Sequence, residues 1–286
     1  MLTTFKELFD LYYSRHALVK LKCPKNTYYW GTKHGPYWFS RAVDQITKND
    51  VQEWVDQVGQ HSQSAATRAH NQLAAIFAWG LRRGYVTSNP CVGVEKFDDI
   101  SRERFLNPAE LARLKAVLTK QPLIIHDLIW VALLTGARKE NLLSMAWSEI
   151  DLDLKVWRIP ARKFKNGDLQ VIPIDGLAHE ILSRRKLNSK SPWVFPGRGS
   201  AHLKDPRAAW DRVRRLAQLD GFRFHDLRRT TGSYMAINGE SLPVIGKALG
   251  HKDPRSTAIY ARLDLDAIRK AFTAMHSSLT SDRQAS

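Results

Sequence analysis

The segment FRFHDLR at residues 222–228 decides how this chain is interpreted. His225 and Arg228 are three residues apart, so on a helix they share one face and can address a single chemical group. Phe222, Phe224 and Leu227 would anchor that helix in a core. The pair is a weak signal alone, because a histidine at a helix start and a solvated arginine are both common.

Two further candidate residues follow this segment. Leu242 to Leu249 is predicted to form a helix with Ser241 as its N-cap, and Gly250 stands where a left-handed residue ends such a helix. His251 would therefore project from a well-defined turn. Tyr260 comes one short helix later. A tyrosine at helical spacing most often packs in a core, and only its place beside His251 in a basic region favours a chemical role.

A second arginine lies upstream, where Arg138 follows the glycine turn Thr135-Gly136-Ala137 at the start of a predicted helix. There a guanidinium can reach a phosphate beside the free N–H groups of the helix, although surface arginines at helix starts are equally common. Two arginines, two histidines and a tyrosine are what phosphodiester chemistry by a tyrosine nucleophile requires. Arginine matches phosphate oxygens, imidazole transfers protons, and a phenol can form a covalent phosphoester.

A hairpin is predicted between these two regions. Residues 155–160 and 169–174 are rich in β-formers, and the Asn166-Gly167 dipeptide between them is a strong turn signal. Lys165 stands at the tip and Lys163 two residues before it. A lysine on a β-turn can enter a DNA groove or protonate a leaving group, but most turn lysines are only solvated.

The remaining pattern is helical. Residues 1–95 are expected to form a helical domain, residues 96–104 a linker, and residues 105–276 a second domain that is mainly α with one small antiparallel β-sheet. The tail, residues 277–286, is expected to be disordered.

Two helices of the first domain have clear signals. Thr47 to Asp50 forms a capping-box pattern, and a long helix is predicted from about residue 64 to residue 83. The polar face of the long helix suits either solvent or DNA, and it carries Arg68, His70, Asn71 and Gln72.

The charge balance indicates a polyanionic partner. The chain has 44 Lys and Arg against 28 Asp and Glu, a net charge of +16. Residues 1–100 hold 12 basic and 9 acidic side chains, so most of the excess lies in the second domain. Such a surface attracts nucleic acid.

Other compositional features bound the cellular setting. Cys23 and Cys91 fit no disulfide framework or metal motif, which favours a reducing, cytoplasmic setting. No signal peptide and no apolar stretch long enough for a bilayer are visible in the sequence.

Several alternative chemistries lack their motifs. The sequence contains no GxSxG, no HExxH and no paired Cys/His spacing. Gly239 to Gly246-Lys247 departs from a phosphate-binding loop in spacing, and Ala248 stands where Ser or Thr should bind magnesium. No acidic cluster suits two metals, so we expect phosphoryl chemistry without a metal or a cofactor.

The ordered set Arg138, Lys165, His225-x-x-Arg228, Leu-Gly-His251 and Tyr260 resembles the tyrosine recombinase, or phage-type integrase, family. The strings Leu-Thr-Gly-Ala-Arg, Phe-His-Asp-Leu-Arg-Arg-Thr and Ala-Leu-Gly-His add to the resemblance, which covers about residues 101–275. Residues 1–95 look like the helical core-binding domain of that family.

The resemblance implies a fold and a reaction. It predicts two domains that clamp double-stranded DNA, and a homotetramer that acts on two DNA sites. By position, Tyr260 would attack the scissile phosphorus to form a 3′-phosphotyrosyl bond and release a 5′-hydroxyl. Arg138 and Arg228 would hold the nonbridging oxygens and stabilise the transition state.

The resemblance also implies roles for the other residues. Lys165 would protonate the 5′-oxygen, with Lys163 as a less well placed competitor. His225 would accept the proton of the tyrosine, and His251 would form a hydrogen bond with the phosphate. The covalent bond would conserve the phosphodiester energy, so rejoining would need neither ATP nor metal.

Two departures from the family leave alternatives open. Asn141 stands where the family often has Glu, which predicts a changed supporting residue and unchanged chemistry. Many integrases also carry an additional N-terminal arm-binding domain, and both a compact form and a fragment fit this chain.

The rival functions are a catalytically silent DNA-binding regulator on the same fold and a type IB topoisomerase. Neither the target sequence nor the choice among integration, excision and resolution follows from the sequence.

Overall fold

The computed structural model describes residues 4–98, 103–163 and 168–263, and positions 269, 272, 273, 275 and 276. The chain divides into two compact units, Met1–Ser101 and Arg102–Ser286, each with its own apolar core. Residues 99–102 of the predicted linker and the whole predicted tail lie outside the described residues. No helix in the described ranges is both long and apolar enough to cross a membrane.

The first unit is helical. A π-helical turn (Tyr13–Ala17) follows its first helix, and its α-helices are α1 (Phe5–Tyr12), α2 (Leu18–Lys20), α3 (Pro24–Trp38), α4 (Lys48–His61) and α5 (Gln63–Arg82). The predicted capping box is confirmed, since Asp50 N–H donates to the Thr47 hydroxyl and Thr47 N–H donates to the Asp50 carboxylate.

Helix α3 had no clear signal in the sequence, because it contains Gly31, Gly35 and Pro36. Packing explains the two glycines. A Cβ at Gly31 would lie 2.3 Å from Cζ of Phe9, and one at Gly35 would lie 2.2 Å from Cζ of Phe39. The aromatic core therefore needs the absence of these side chains and outweighs the weak helix propensity.

The prediction that His70 lies on the polar face of α5 is wrong. Arg68 and Asn71 are exposed, but His70 is only 3% exposed and its Nε2 lies 3.3 Å from the Cys91 carbonyl oxygen. His70 is thus a core histidine bound to the segment that follows the helix, and it is not available to solvent or DNA.

The second unit is mainly helical and carries the small sheet. Its helices are α6 (Pro108–Leu118), α7 (Leu123–Thr135), α8 (Lys139–Leu143), α9 (Gly176–Leu187), α10 (Arg207–Leu216), α11 (Asp226–Ile237), α12 (Leu242–Leu249) and α13 (Arg255–Ala258). The predicted fold class, mainly α with a small antiparallel sheet in this part of the chain, is confirmed.

The sheet has three antiparallel strands in the order β1 (Ile150–Asp151), β2 (Val156–Ile159) and β3 (Gln170–Pro173). Trp157 pairs with Ile172, and both side chains are buried, whereas Arg158 and Val171 point outward. The two-residue strand β1 was not predicted, because two residues show no periodicity. The tip at residues 164–167, with Lys165 and the predicted Asn-Gly turn, lies outside the described residues.

Helix α7 is the centre of the second unit. It is apolar nearly all round, which is typical of a buried helix, and it packs against α8, α9 and α11. It ends at Gly136, which has a left-handed conformation (φ 59°). Packing of α11 along α7 brings this turn beside α11 and α12, since a Cβ at Gly136 would lie 2.7 Å from Leu249 and 3.2 Å from Thr231.

Gly136→Ala should therefore lower the free energy of unfolding for two reasons. The left-handed backbone costs ~1–2 kcal/mol with a side chain, and overpacking against Leu249 adds ~1–3 kcal/mol. Gly199→Ala is the matched control, because Gly199 has nearly the same φ, 61°, with no atom within 4 Å of its Cβ position. Urea unfolding of the full chain should show the larger loss for Gly136→Ala. Equal losses would mean that the Leu249 contact is unimportant.

Candidate active site

Two arginines of the second unit are held by main-chain carbonyl groups. Arg228, on α11, is 5% exposed, and its Nη1 donates to the Gly136 carbonyl at 2.7 Å while Nη2 donates to the Leu249 carbonyl. Arg138, just after the Gly136 turn, donates from Nη2 to the Gly250 carbonyl at 3.0 Å. The ends of α7 and α12 thus fix both guanidinium groups.

The end of α12 explains why these carbonyls are available. Gly250 is left-handed (φ 63°), His251 N–H donates to the Gly246 carbonyl at 2.8 Å, and Gly250 N–H donates to the Lys247 carbonyl. This Schellman motif closes the helix and leaves its last carbonyls without helical donors. The C-terminal end of a helix dipole also favours a cation.

Burial lowers the pKa of both arginines. Burial, with Arg138 as a second cause, lowers the pKa of Arg228 to about 10, and burial also lowers the pKa of Arg138. Arg228 remains a cation at neutral pH. Carbonyl oxygens hold the guanidinium groups without cancelling their charge, so this part of the site suits an anion such as a phosphate.

The two histidines are neutral at pH 7. Burial, followed by repulsion from Arg228 and Arg138, lowers the pKa of His251 to about 4. His225 is the N-cap residue of α11. Although the His225 side chain is partly exposed, desolvation by the surrounding protein is the main cause that lowers its pKa. Repulsion from Arg228 and Arg229 lowers this pKa further.

Tyr260 follows α13 and is only 3% exposed. Its ring lies on Gly232 of α11, where a Cβ would be 2.5 Å from Cζ and 2.7 Å from Oη. Burial raises the pKa of the phenol, while Arg228 and Arg229 act in the opposite direction. The phenol is therefore protonated at neutral pH and would need a proton acceptor before it could act as a nucleophile.

Five of the six predicted site residues lie in one electrostatically coupled cluster: Arg138, His225, Arg228, His251 and Tyr260. Lys165 lies outside the described residues. Asn141 is buried in α8, and its supporting role stays a prediction.

The competing lysine, Lys163, is held by three contacts with other residues. Lys163 forms an ion pair with the buried carboxylate of Glu149 and donates to the Ser144 carbonyl. Its ammonium group also lies 5.4 Å from the ring centroid of Trp193. These contacts give Lys163 a structural role.

Contacts at the start of β3 place the hairpin near the cluster. Gln170 donates to the Ala248 carbonyl of α12 at 2.9 Å, and Asp168 forms an ion pair of 2.5 Å with Lys252, next to His251.

Sequence reasoning missed two residues that shape the site. Gln170 is a buried polar residue on the inward face of β3, two positions from the buried Ile172. A polar side chain at an inward position of a strand was the available signal. Thr257 contacts His251 through its hydroxyl, and no pattern in the sequence points to that pairing.

No group of three or more His, Cys, Asp or Glu side chains within the described ranges could hold a metal ion.

Comparisons with known proteins agree on one family. Residues 104–266 match the model of the phage integrase family. The tyrosine recombinase XerC of Xylella fastidiosa (strain 9a5c) is 26% identical over 226 residues, which cover 75% of each chain. Prophage integrase IntF of Escherichia coli (strain K12) is 27% identical over 248 residues, which cover 80% of this chain and 52% of that protein.

Solved structures support the same fold. The Tn1549 transposon integrase in complex with a circular intermediate DNA superposes with a TM-score of 0.79 at 15% identity, covering 93% of this chain and 100% of that chain. A lambda integrase tetramer bound to a Holliday junction gives a TM-score of 0.75 at 18% identity, covering 88% and 79%. The family model covers more than half of the chain, and the predicted resemblance is confirmed: this protein belongs to the phage integrase family, the tyrosine recombinases.

Proposed function

We propose that this protein is a site-specific DNA recombinase that cleaves and rejoins strands through a phosphotyrosyl intermediate on Tyr260. The observation that carries the proposal is the pair Arg138 and Arg228. Both are fixed by carbonyl groups at the ends of α7 and α12, beside two neutral histidines and a phenol. A silent DNA-binding regulator would not need this set of residues around a buried tyrosine.

The proposed cleavage step is a displacement at phosphorus, in which the tyrosine oxygen replaces the 5′-oxygen. The Tyr260 oxygen attacks the scissile phosphorus, the bond to the 5′-oxygen breaks, and the strand keeps a 3′-phosphotyrosyl bond. His225 accepts the phenolic proton, and Lys165 gives a proton to the leaving 5′-oxygen. Attack by a 5′-hydroxyl reverses the step. The phosphoester energy is retained in the covalent bond, so rejoining requires no ATP.

The two arginines would act on charge that develops during the step. The pentacoordinate transition state concentrates negative charge on the nonbridging oxygens, and preorganised donors stabilise such charge without reorganising. Arg138 and Arg228 already have their orientation fixed before DNA binds. Neither requires a metal to supply positive charge.

The partner follows from the excess of basic residues and from the relatives. The chain carries a net charge of +16, which favours a polyanion, and the similar integrases are bound to DNA, one of them as a tetramer on a Holliday junction. We extend this to double-stranded DNA and a homotetramer on two sites in the cytoplasm. In this proposal the first unit is the core-binding domain and the second is the catalytic domain.

Tyr260→Phe should abolish the covalent adduct. The substrate is a nicked suicide duplex that carries the target site, on which cleavage releases a short fragment and prevents rejoining. The phenylalanine ring keeps the packing on Gly232, so stability should stay near that of the unchanged protein, and Tyr234→Phe on α11 is the matched control. Denaturing gels report the adduct. A Tyr260→Phe adduct would identify another nucleophile, and no adduct with the unchanged protein would exclude the enzymatic proposal.

His225 as proton acceptor predicts the pH dependence of the reaction. The neutral form is required, and its folded pKa lies below the usual 6.5, so the rate should fall with acid and reach half of its plateau below pH 6.5. The second-order rate constant for adduct formation reports this pKa in the free enzyme. His225→Asn should lower the plateau and remove the acidic limb, whereas the control His179→Asn should keep both. An acidic limb with its midpoint above pH 6.5 would contradict this role.

A substrate with a different leaving group distinguishes the roles of Lys165 and Lys163. Lys165→Ala should lose cleavage of a normal duplex and regain it on a 5′-bridging phosphorothiolate, because a sulfur leaving group needs no proton. Lys163→Ala instead leaves Glu149 buried without its cation, which should lower the free energy of unfolding by ~3–5 kcal/mol. Sulfur rescue of Lys163→Ala, but not of Lys165→Ala, would reverse the assignment.

A further inference from the structure

A buried hydroxyl lies against His251. Thr257, on α13, is 4% exposed, and its Oγ1 lies 2.9 Å from Nδ1 of His251. Within the described part of the chain, this ring nitrogen is the one hydrogen-bond partner of the Thr257 hydroxyl. No step of the reaction proposed above uses Thr257 directly.

The surrounding packing fixes this contact from both sides. A Cβ at Gly246 of α12 would lie 3.1 Å from Oγ1 of Thr257, so a larger residue there would press on the hydroxyl. The main chain of His251 is held by the hydrogen bond from its N–H to the Gly246 carbonyl. Threonine is stiff at χ1. The hydroxyl and the imidazole therefore have little freedom to move apart.

The chemistry of the contact decides where the ring proton lies. His251 is neutral at pH 7, because burial, Arg228 and Arg138 oppose a second proton, so one nitrogen carries the single proton. A buried hydroxyl needs an acceptor for its own hydrogen, and Nδ1 is the acceptor within reach. If Thr257 donates to Nδ1, the proton of the ring must lie on Nε2.

We propose that Thr257 is a positioning residue that holds His251 in the Nε2–H tautomer, so that Nε2 donates a hydrogen bond to a nonbridging oxygen of the scissile phosphate. This role rests on the proposed function of His251. In the opposite tautomer the Nε2 lone pair would face the phosphate oxygen, and the site would lose a donor. A residue outside the reacting groups would thus determine whether His251 helps or opposes catalysis.

The tautomer can be measured without DNA. Long-range proton–nitrogen NMR spectra of the full chain, with its ten histidines labelled with ¹⁵N, distinguish a protonated from an unprotonated ring nitrogen. The signals that disappear in His251→Gln are those of His251. In the unchanged protein at pH 7.5, Nε2 should be protonated and Nδ1 unprotonated. In Thr257→Val, which keeps the shape but lacks the hydroxyl, both nitrogens should move toward the averaged shifts of exchanging tautomers.

Two variants control for structural damage. Thr257→Ser retains the hydroxyl and should keep the His251 tautomer of the unchanged protein. If the valine variant fails to fold, the spectra of the serine variant and the unchanged protein test the proposal. Thr119→Val removes a hydroxyl that donates to the Ala116 carbonyl at the end of α6, and it should leave the His251 signals unchanged. An Nδ1–H tautomer in the unchanged protein, or an unaltered spectrum in Thr257→Val, would overturn the proposal.

Adduct formation on the suicide duplex tests the consequence for catalysis. Thr257→Val should slow it by roughly 10- to 100-fold, the loss that follows when the partner orienting a metal-bound histidine is removed. In a His251→Ala background the same change should have no further effect, because Thr257 acts through the ring. Equal losses in both backgrounds would overturn the positioning role. If the unchanged protein forms no adduct, the proposed function fails while the tautomer measurement still stands.

Discussion

The site depends on two arginines held by neutral oxygen atoms. The ends of α7 and α12 bring the carbonyls of Gly136, Leu249 and Gly250 to the guanidinium groups of Arg138 and Arg228. A carboxylate in the same places would bind the guanidinium groups more strongly but would cancel the charge that an incoming phosphate must meet. Carbonyl acceptors therefore orient the cations and preserve their charge. The arrangement exists only when α7, α11 and α12 are packed together, which ties the site to the core of the second unit.

Burial and the same positive charge set the protonation of the neighbouring groups. Burial first, and then the charge of Arg228, lower the pKa of both His225 and His251, so both imidazoles are neutral at pH 7. The proposed reaction would use one of them as a proton acceptor and the other as a hydrogen-bond donor. Tyr260 is subject to opposing influences, since burial favours the neutral phenol and Arg228 favours the phenolate. In the structure the ring is packed on Gly232 and nearly inaccessible, so the proposed attack on a bound phosphate would require Tyr260 to leave that contact. In that proposal the acidity of the phenol and its access to the phosphate are controlled separately.

Local signals in the sequence predicted the elements that carry the site. The helix that begins at His225 and carries Arg228, and the Gly250 turn after α12, depend on rules within a few residues. The structure has both, with His225 as the N-cap residue of α11. Features that depend on distant packing were not predictable. Helix α3 tolerates its glycines because the rings of Phe9 and Phe39 occupy the space, and His70 is buried because the segment at Cys91 folds back on α5. The contacts of Gln170 with α12 and of Thr257 with His251 likewise join separate elements.

Ion pairs anchor the described residues on both sides of the hairpin tip. Lys163 is bound to Glu149 before the tip, and Asp168 is bound to Lys252 after it. Because the Lys163 ammonium group is paired with a buried carboxylate, transfer of its proton would leave that carboxylate without its cation. This cost makes Lys163 a poor general acid and supports the proposal that Lys165 has that role.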